Sequence, residues 1–215
     1  VSLCNSQNQI LIDSLDIVIE RSENTEDKFK AYEELFNHYI YYDYGKALEV
    51  GLEGYNLAIE QEDIRRQTLF LHRLGNTYLY MGNYDKSLEQ YYKGLNLLEN
   101  QENYYLEFAI NTNIGGIYDR IQSYDKALEY LFKALEIFNS YNQTFQPGVN
   151  KATLHCQLFN NIGNIYEVKD DNEKALQYYS KALDYPDGEI HHEPLAGVYN
   201  NLGKLYKKLQ DFDKA

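Results

Sequence analysis

The side chains with the strongest claim to chemistry are His191, His192 and Glu193, with Asp187 four residues upstream. Two imidazoles and two carboxylates in one segment are the donor types that hold a transition metal. The spacing argues against it, because an HExxH helix sets two histidines one turn apart, and this cluster has neither that interval nor a second ligand set. It reads as a linker before the last helix, with no metal. Cys4 and Cys156 stand far apart and outside any CxxC or Cys/His zinc spacing, so no disulfide framework or zinc finger is implied. No GxSxG, no phosphate-cradling glycine loop and no Cys/His nucleophile signature occurs. No catalytic residue and no cofactor is expected.

A different chemistry, recognition of peptide groups, is carried by amides. Asn113, Asn161 and Asn201 each lie two residues before a glycine, a place that Arg73 takes earlier in the chain. Asn76, Gly116, Asn164 and Lys204 follow the same four glycines directly, and Asp119, Arg120 and Glu167 come one turn later. A carboxamide offers both donor and acceptor and can pair with a peptide group whatever its side chain. The plainer reading is that these amides satisfy helix ends or face water, and both readings stand.

The elements that must position these residues are legible as a repeat. Apolar-Gly-x-x-Tyr recurs as Leu74-Gly75-Tyr78, Ile114-Gly115-Tyr118, Ile162-Gly163-Tyr166 and Leu202-Gly203-Tyr206. Nine residues past each glycine begins a second pattern: Tyr84-Asp85-Lys86-Ser87, Tyr124-Asp125-Lys126-Ala127, Asn172-Glu173-Lys174-Ala175 and Phe212-Asp213-Lys214-Ala215. Gly94, Ala134 and Ala182 follow in step. Ala127 and Ala134, like Ala175 and Ala182, are seven residues or about two turns apart, so they share one stripe of a helix and admit a close neighbour. A glycine within a helix costs about 1 kcal/mol relative to alanine, so its return in phase implies a contact too tight for a side chain. The acidic residue of the second pattern sits in a first turn, where the helix dipole favours it. Projected backwards, the frame puts Leu35 in the glycine slot and Ala47 and Gly54 in the later ones, a degenerate first repeat.

These motifs resemble the tetratricopeptide repeat, with Leu-Gly-x-x-Tyr on the first helix of a pair and small residues at two places on the second. The usual tryptophan and closing proline are missing. The interval is forty residues for Leu35 to Gly75, Gly75 to Gly115 and Gly163 to Gly203, against about 34 in the typical unit. That is similar to the longer-repeat branch of kinesin light chains and bacterial peptide-binding regulators. The resemblance implies an all-α, right-handed α-solenoid of antiparallel helix pairs, with Gly75, Gly115, Gly163, Gly203, Ala127, Ala134, Ala175 and Ala182 as packing contacts. It also implies a concave surface lined by first helices. Residues two before the glycine are turned about 200° from it. This makes Arg73, Asn76, Asn113, Asp119, Arg120, Asn161, Asn164, Glu167, Asn201 and Lys204 the candidate peptide-binding residues. The slots with which chaperone-binding members clamp a carboxylate hold His72, Asn76, Asn113, Gln157 and Asn161, which disfavours chaperone tails. Tyr78, Tyr118, Tyr166 and Tyr206 are expected in the packed seam.

The frame predicts a leading helix over 10–21 within a cap of residues 1–25. An array of about four and a half repeats follows over 26–215, with helices at 26–41, 45–61, 64–81, 84–99, 104–121, 124–140, 150–168, 171–184 and 193–209. Between Gly115 and Gly163 eight extra residues fall around Ser140 to Lys151, expected as a longer loop with an added helical turn. The array stops partway into its fifth pair, which suggests that the polypeptide continues.

With 20 basic and 33 acidic residues the formal charge is -13, a field that repels nucleic acid and anionic lipid headgroups. No apolar run approaches the roughly 20 residues of a membrane span. Val1-Ser2-Leu3-Cys4 fits either the tail of a removed export signal or a frayed terminus; the cytoplasm is slightly favoured over the periplasm. The expected function is a non-catalytic protein- or peptide-binding scaffold, the sensory or regulatory segment of a larger bacterial signalling protein. The alternative is an assembly scaffold that self-associates through its uncapped C-terminal end.

Overall fold

A computed structural model describes residues 2–186 and 188–209, with side chains from residue 9 onwards. The described residues hold ten α-helices and no strand: α1 (Ser2–Arg21), α2 (Thr25–Tyr39), α3 (Tyr44–Glu60), α4 (Ile64–Tyr80), α5 (Tyr84–Leu98), α6 (Tyr104–Arg120), α7 (Tyr124–Tyr141), α8 (Lys151–Val168), α9 (Asn172–Ala182) and α10 (His192–Lys208). They fall into two compact units, α1–α5 and α6–α10.

Three-residue turns close the pairs α4/α5, α6/α7 and α8/α9. The residue seven past the repeat glycine takes a left-handed backbone, with φ of 72° at Gly82, 60° at Gln122 and 62° at Asp170. The next amide then reaches back five residues, Asn83 to the Tyr78 carbonyl, Ser123 to Tyr118 and Asp171 to Tyr166, at 2.8–2.9 Å. These bonds satisfy carbonyls that the helix end would leave open. The same short turns start the next helix, since the side chains of Asn83 and Asp171 accept from the amides of Lys86 and Lys174.

The repeat glycines are packing contacts. A methyl at Gly115 would lie 2.7 Å from Leu131, one at Gly163 would lie 2.6 Å from the Tyr179 ring, and one at Gly75 would overlap the Tyr91 ring. Ala127, Ala134, Ala175 and Ala182 are all fully buried. Ser87 stands where Ala127 does in the next pair, and its hydroxyl donates to the Gly75 carbonyl at 2.7 Å. Gly203 is only half-buried, and no second helix of its pair lies among the described residues.

The first repeat, degenerate in sequence, inverts the arrangement. Its bulk is on α2, as Leu35 and Phe36, and its small residue is Gly51 on α3, where a methyl would lie 3.4 Å from the Phe36 ring and 2.9 Å from Leu74 of the following pair.

The extra residues of the second unit form the expected longer loop with an added helical turn, and one of them enters the core. The helix α7 runs only to Tyr141, a single 3₁₀ turn covers 142–144, and the chain then inserts Phe145 into the core against Phe108 and Phe138, with ring centres 5.7 and 6.0 Å away. The loop after α9 is pinned beside it, because Asn150 Nδ2 donates to the Glu189 carbonyl at 2.9 Å and the His191 amide to Thr153 Oγ1 at 2.9 Å. Helix α9 ends two residues before the expected 184, where Tyr185 precedes Pro186 and is steered out of the helical region. Tyr78, Tyr118 and Tyr166 are half-buried edges of the core rather than its seam. Each carries a lysine over its ring, Lys86 at 5.4 Å, Lys126 at 5.2 Å and Lys174 at 5.0 Å, which explains the lysine in the second motif.

Candidate functional site

Packing of the glycine side of each first helix against its second helix leaves the residue two before the glycine, turned about 200° from it, half-exposed, and the residue one after it at the edge of the contact. In the first unit this side of α4 carries Arg73 and Asn76. Arg73 Nη2 donates to Glu33 Oε2 of α2 at 2.9 Å, and its guanidinium lies 5.5 and 5.7 Å from the Phe36 and Phe70 ring centres. Burial lowers its pKa, an effect the Glu33 charge opposes. Asn76 faces inward: its Oδ1 accepts from the Tyr91 hydroxyl at 2.5 Å, and its Nδ2 lies 3.5 Å from His72 Nε2. Burial, with Arg73 alongside, brings the His72 pKa down to about 4, so the ring is neutral near pH 7.

In the second unit α6, α8 and α10 present the equivalent side. Asn201 of α10 donates from Nδ2 to Asn160 Oδ1 at 3.0 Å and to Asn164 Oδ1 at 2.8 Å, joining two helices through amides. The Tyr179 hydroxyl lies 2.8 Å from Asn164 Oδ1 and 2.6 Å from Glu167 Oε2. Its one proton is shared between two acceptors, and burial followed by the bond to Glu167 raises the phenol pKa strongly. Asn113 and Asn161 are half-buried on the same side of α6 and α8. Asp119 is half-buried too, and burial holds its carboxyl above the usual range while neighbouring Arg120 opposes the shift. Arg120 and Lys204 are exposed.

The structure therefore divides the candidate residues. Arg73, Asn76, Asn164, Glu167 and Asn201 are bonded within the protein, whereas Arg120 and Lys204 reach solvent. The inward partners Tyr91 and Tyr179 were not singled out by sequence, yet a signal exists. Fifteen residues separate Asn76 from Tyr91 and Asn164 from Tyr179, and the same interval in the third repeat joins Gly116 to Leu131. An amide stands where a hydroxyl must be met, and none stands where leucine replaces tyrosine.

His191 and His192 are exposed, Asp187 lies outside the described residues, and no group of three potential metal ligands occurs among those described. No described helix is long and apolar enough to cross a membrane.

Helix pairs returning in phase, with a small residue on one helix under a large one on the other, define a helical-repeat scaffold. Tetratricopeptide repeat models match residues 67–140, and 157–186 with 196–215, and the chain belongs to this family. No curated protein matches it. Among solved structures it is similar to BtubC from P. vanneervenii, at 22% identity over 96% of this chain and 86% of that one, with a TM-score of 0.79. It is also similar to the tetratricopeptide repeat sensor protein, a signal transduction ATPase with numerous domains, from Pyrococcus horikoshii. That match has 19% identity and a TM-score of 0.73 over 94% of this chain but only 31% of the other. A third likeness is to kinesin light chain-like repeats from Podosopora anserina, at 13% identity and a TM-score of 0.64 over 90% of this chain and 92% of that one. These likenesses show the fold, the right-handed α-solenoid of antiparallel helix pairs, and membership of the family makes the chain a protein-interaction scaffold.

Proposed function

We propose that the chain is a non-catalytic scaffold that receives an extended polypeptide on the first-helix side of α6, α8 and α10. In this reading it serves as the sensory or regulatory segment of a larger bacterial signalling protein. The observation that carries the binding role is the amide row of Asn160, Asn164 and Asn201, held in place from behind by Tyr179. Amides fixed by internal bonds lose little freedom when a guest arrives, and their remaining donor and acceptor capacity suits a peptide backbone. The family supports the absence of catalysis, since tetratricopeptide units are typically scaffolds. The signalling role draws support from the likeness to a repeat sensor in a signal transduction ATPase.

The test uses dodecapeptides selected from a random phage library on the wild-type protein, with affinities read by fluorescence anisotropy. Replacing both Asn113 and Asn161 by alanine should weaken their binding about tenfold, as loss of two modest hydrogen bonds would, with helicity kept. Unaltered affinity would place the peptides elsewhere and overturn the assignment.

A further inference from the structure

The amide row of the second unit has a gap. In the repeat frame Asn161 is the counterpart of Asn201, and the counterpart of its acceptor Asn164 is Gly116, which has no side chain to offer. Asn201 is bonded to α8, but no hydrogen bond of the Asn161 side chain is found among the described residues. A Cβ built on Gly116 would meet nothing within 4 Å, unlike those of Gly115 and Gly163, which collide with the second helix. One turn along the same side of α6 stands Asp119, half-buried, with no ion pair or side-chain hydrogen bond among the described residues. Glu167, its counterpart on α8, accepts a hydrogen bond from the Tyr179 hydroxyl, but in the third pair Leu131 replaces that tyrosine and has no donor to offer.

A carboxylate that has lost part of its hydration and found no internal donor is poised for a donor from outside. The opening at Gly116 admits a chain close to the α6 backbone, and a net charge of -13 favours a cation. We propose that Gly116, Asp119 and Asn161 form a specificity pocket that takes a lysine or arginine side chain of the bound peptide. The carboxylate meets the cationic head, the bare glycine makes room for its methylene stem, and Asn161 pairs with the adjacent peptide group. The proposal rests on the peptide-binding reading above and names the chemistry of its ligand. Burial raises the Asp119 pKa in the free protein, and a bound cation would reverse that shift.

The experiment repeats the random dodecapeptide selection on three proteins: wild type, Asp119→Asn and Asp119→Lys. Wild type should enrich one basic position, Asp119→Asn should bind those peptides about tenfold more weakly, and Asp119→Lys should exchange that position for an acidic one. Filling the opening by Gly116→Gln should cause a similar loss while helicity is kept. Peptides that lack a basic preference, bind all three proteins equally and lose affinity on Asn201→Ala would overturn the pocket while leaving the peptide-binding side in place. Failure of every protein to enrich any peptide would overturn both. Should Asp119→Lys unfold, the isosteric Asp119→Asn comparison decides the matter alone.

Discussion

His72 makes the acid stability of the first unit predictable. Its ring is held neutral in the folded chain with a pKa of about 4, while in the unfolded chain it titrates near 6.5. The unfolded state therefore takes up the proton first. The contribution to stability is complete above pH 6.5, declines as the pH falls from 6.5 towards 4, and changes no further below that. That difference corresponds to roughly 3 kcal/mol at full protonation, of which about 2 kcal/mol is already lost at pH 5. The geometry agrees in sign: with Asn76 Oδ1 accepting from Tyr91, the amide Nδ2 is turned to His72 Nε2, which can accept only while unprotonated. Urea unfolding of wild type and His72→Gln at pH 7.5 and 5.0 is the assay, since all other titrating groups are common to both. Wild type should lose about 2 kcal/mol more than the variant over that interval. Parallel pH profiles, or an imidazole resonance of His72 titrating near 6.5 in the folded protein, would refute the reasoning.

Two further outcomes follow from packing. Gly75→Ala should destabilise by about 2 kcal/mol or more because its methyl overlaps the Tyr91 ring, whereas Gly116→Ala, facing open space, should stabilise by up to about 1 kcal/mol; chemical denaturation of both reads the contrast, and equal effects would contradict it. Phe145→Ala should cost about 3 kcal/mol despite lying in a loop, measured against exposed Gln143→Ala as control; a loss no larger than the control's would show that the ring is not part of the core.

The helices were legible because small residues and glycines recur in phase, and most predicted ends fall within two residues of those observed. The exception is α1, which begins at Ser2 rather than 10, in a stretch of serine, asparagine and glutamine without an apolar period to read. Phe145 was hidden for a different reason. An aromatic residue among Asn142, Gln143, Pro147 and Gly148 carries a loop signature, and burial of a loop side chain depends on a neighbouring helix that local pattern does not name. On the candidate side, spacing identified which residues oppose the glycine but not how many were already bonded from behind. Asn76 and Asn164 look identical to free amides until Tyr91 and Tyr179, fifteen residues on, are brought under them. Asn161 and Asn201 occupy one slot in the frame, yet only the second meets an amide, because the difference lies in Gly116 on another helix.

The match of bulk to hollow between paired helices, Tyr91 over Gly75, Leu131 over Gly115 and Tyr179 over Gly163, bears on how such an array can change by duplication. A copied hairpin brings its own matched knob and hollow and can be inherited whole. A crossover inside one would unite two knobs or two hollows, so recombination is tolerated between hairpins and penalised within them.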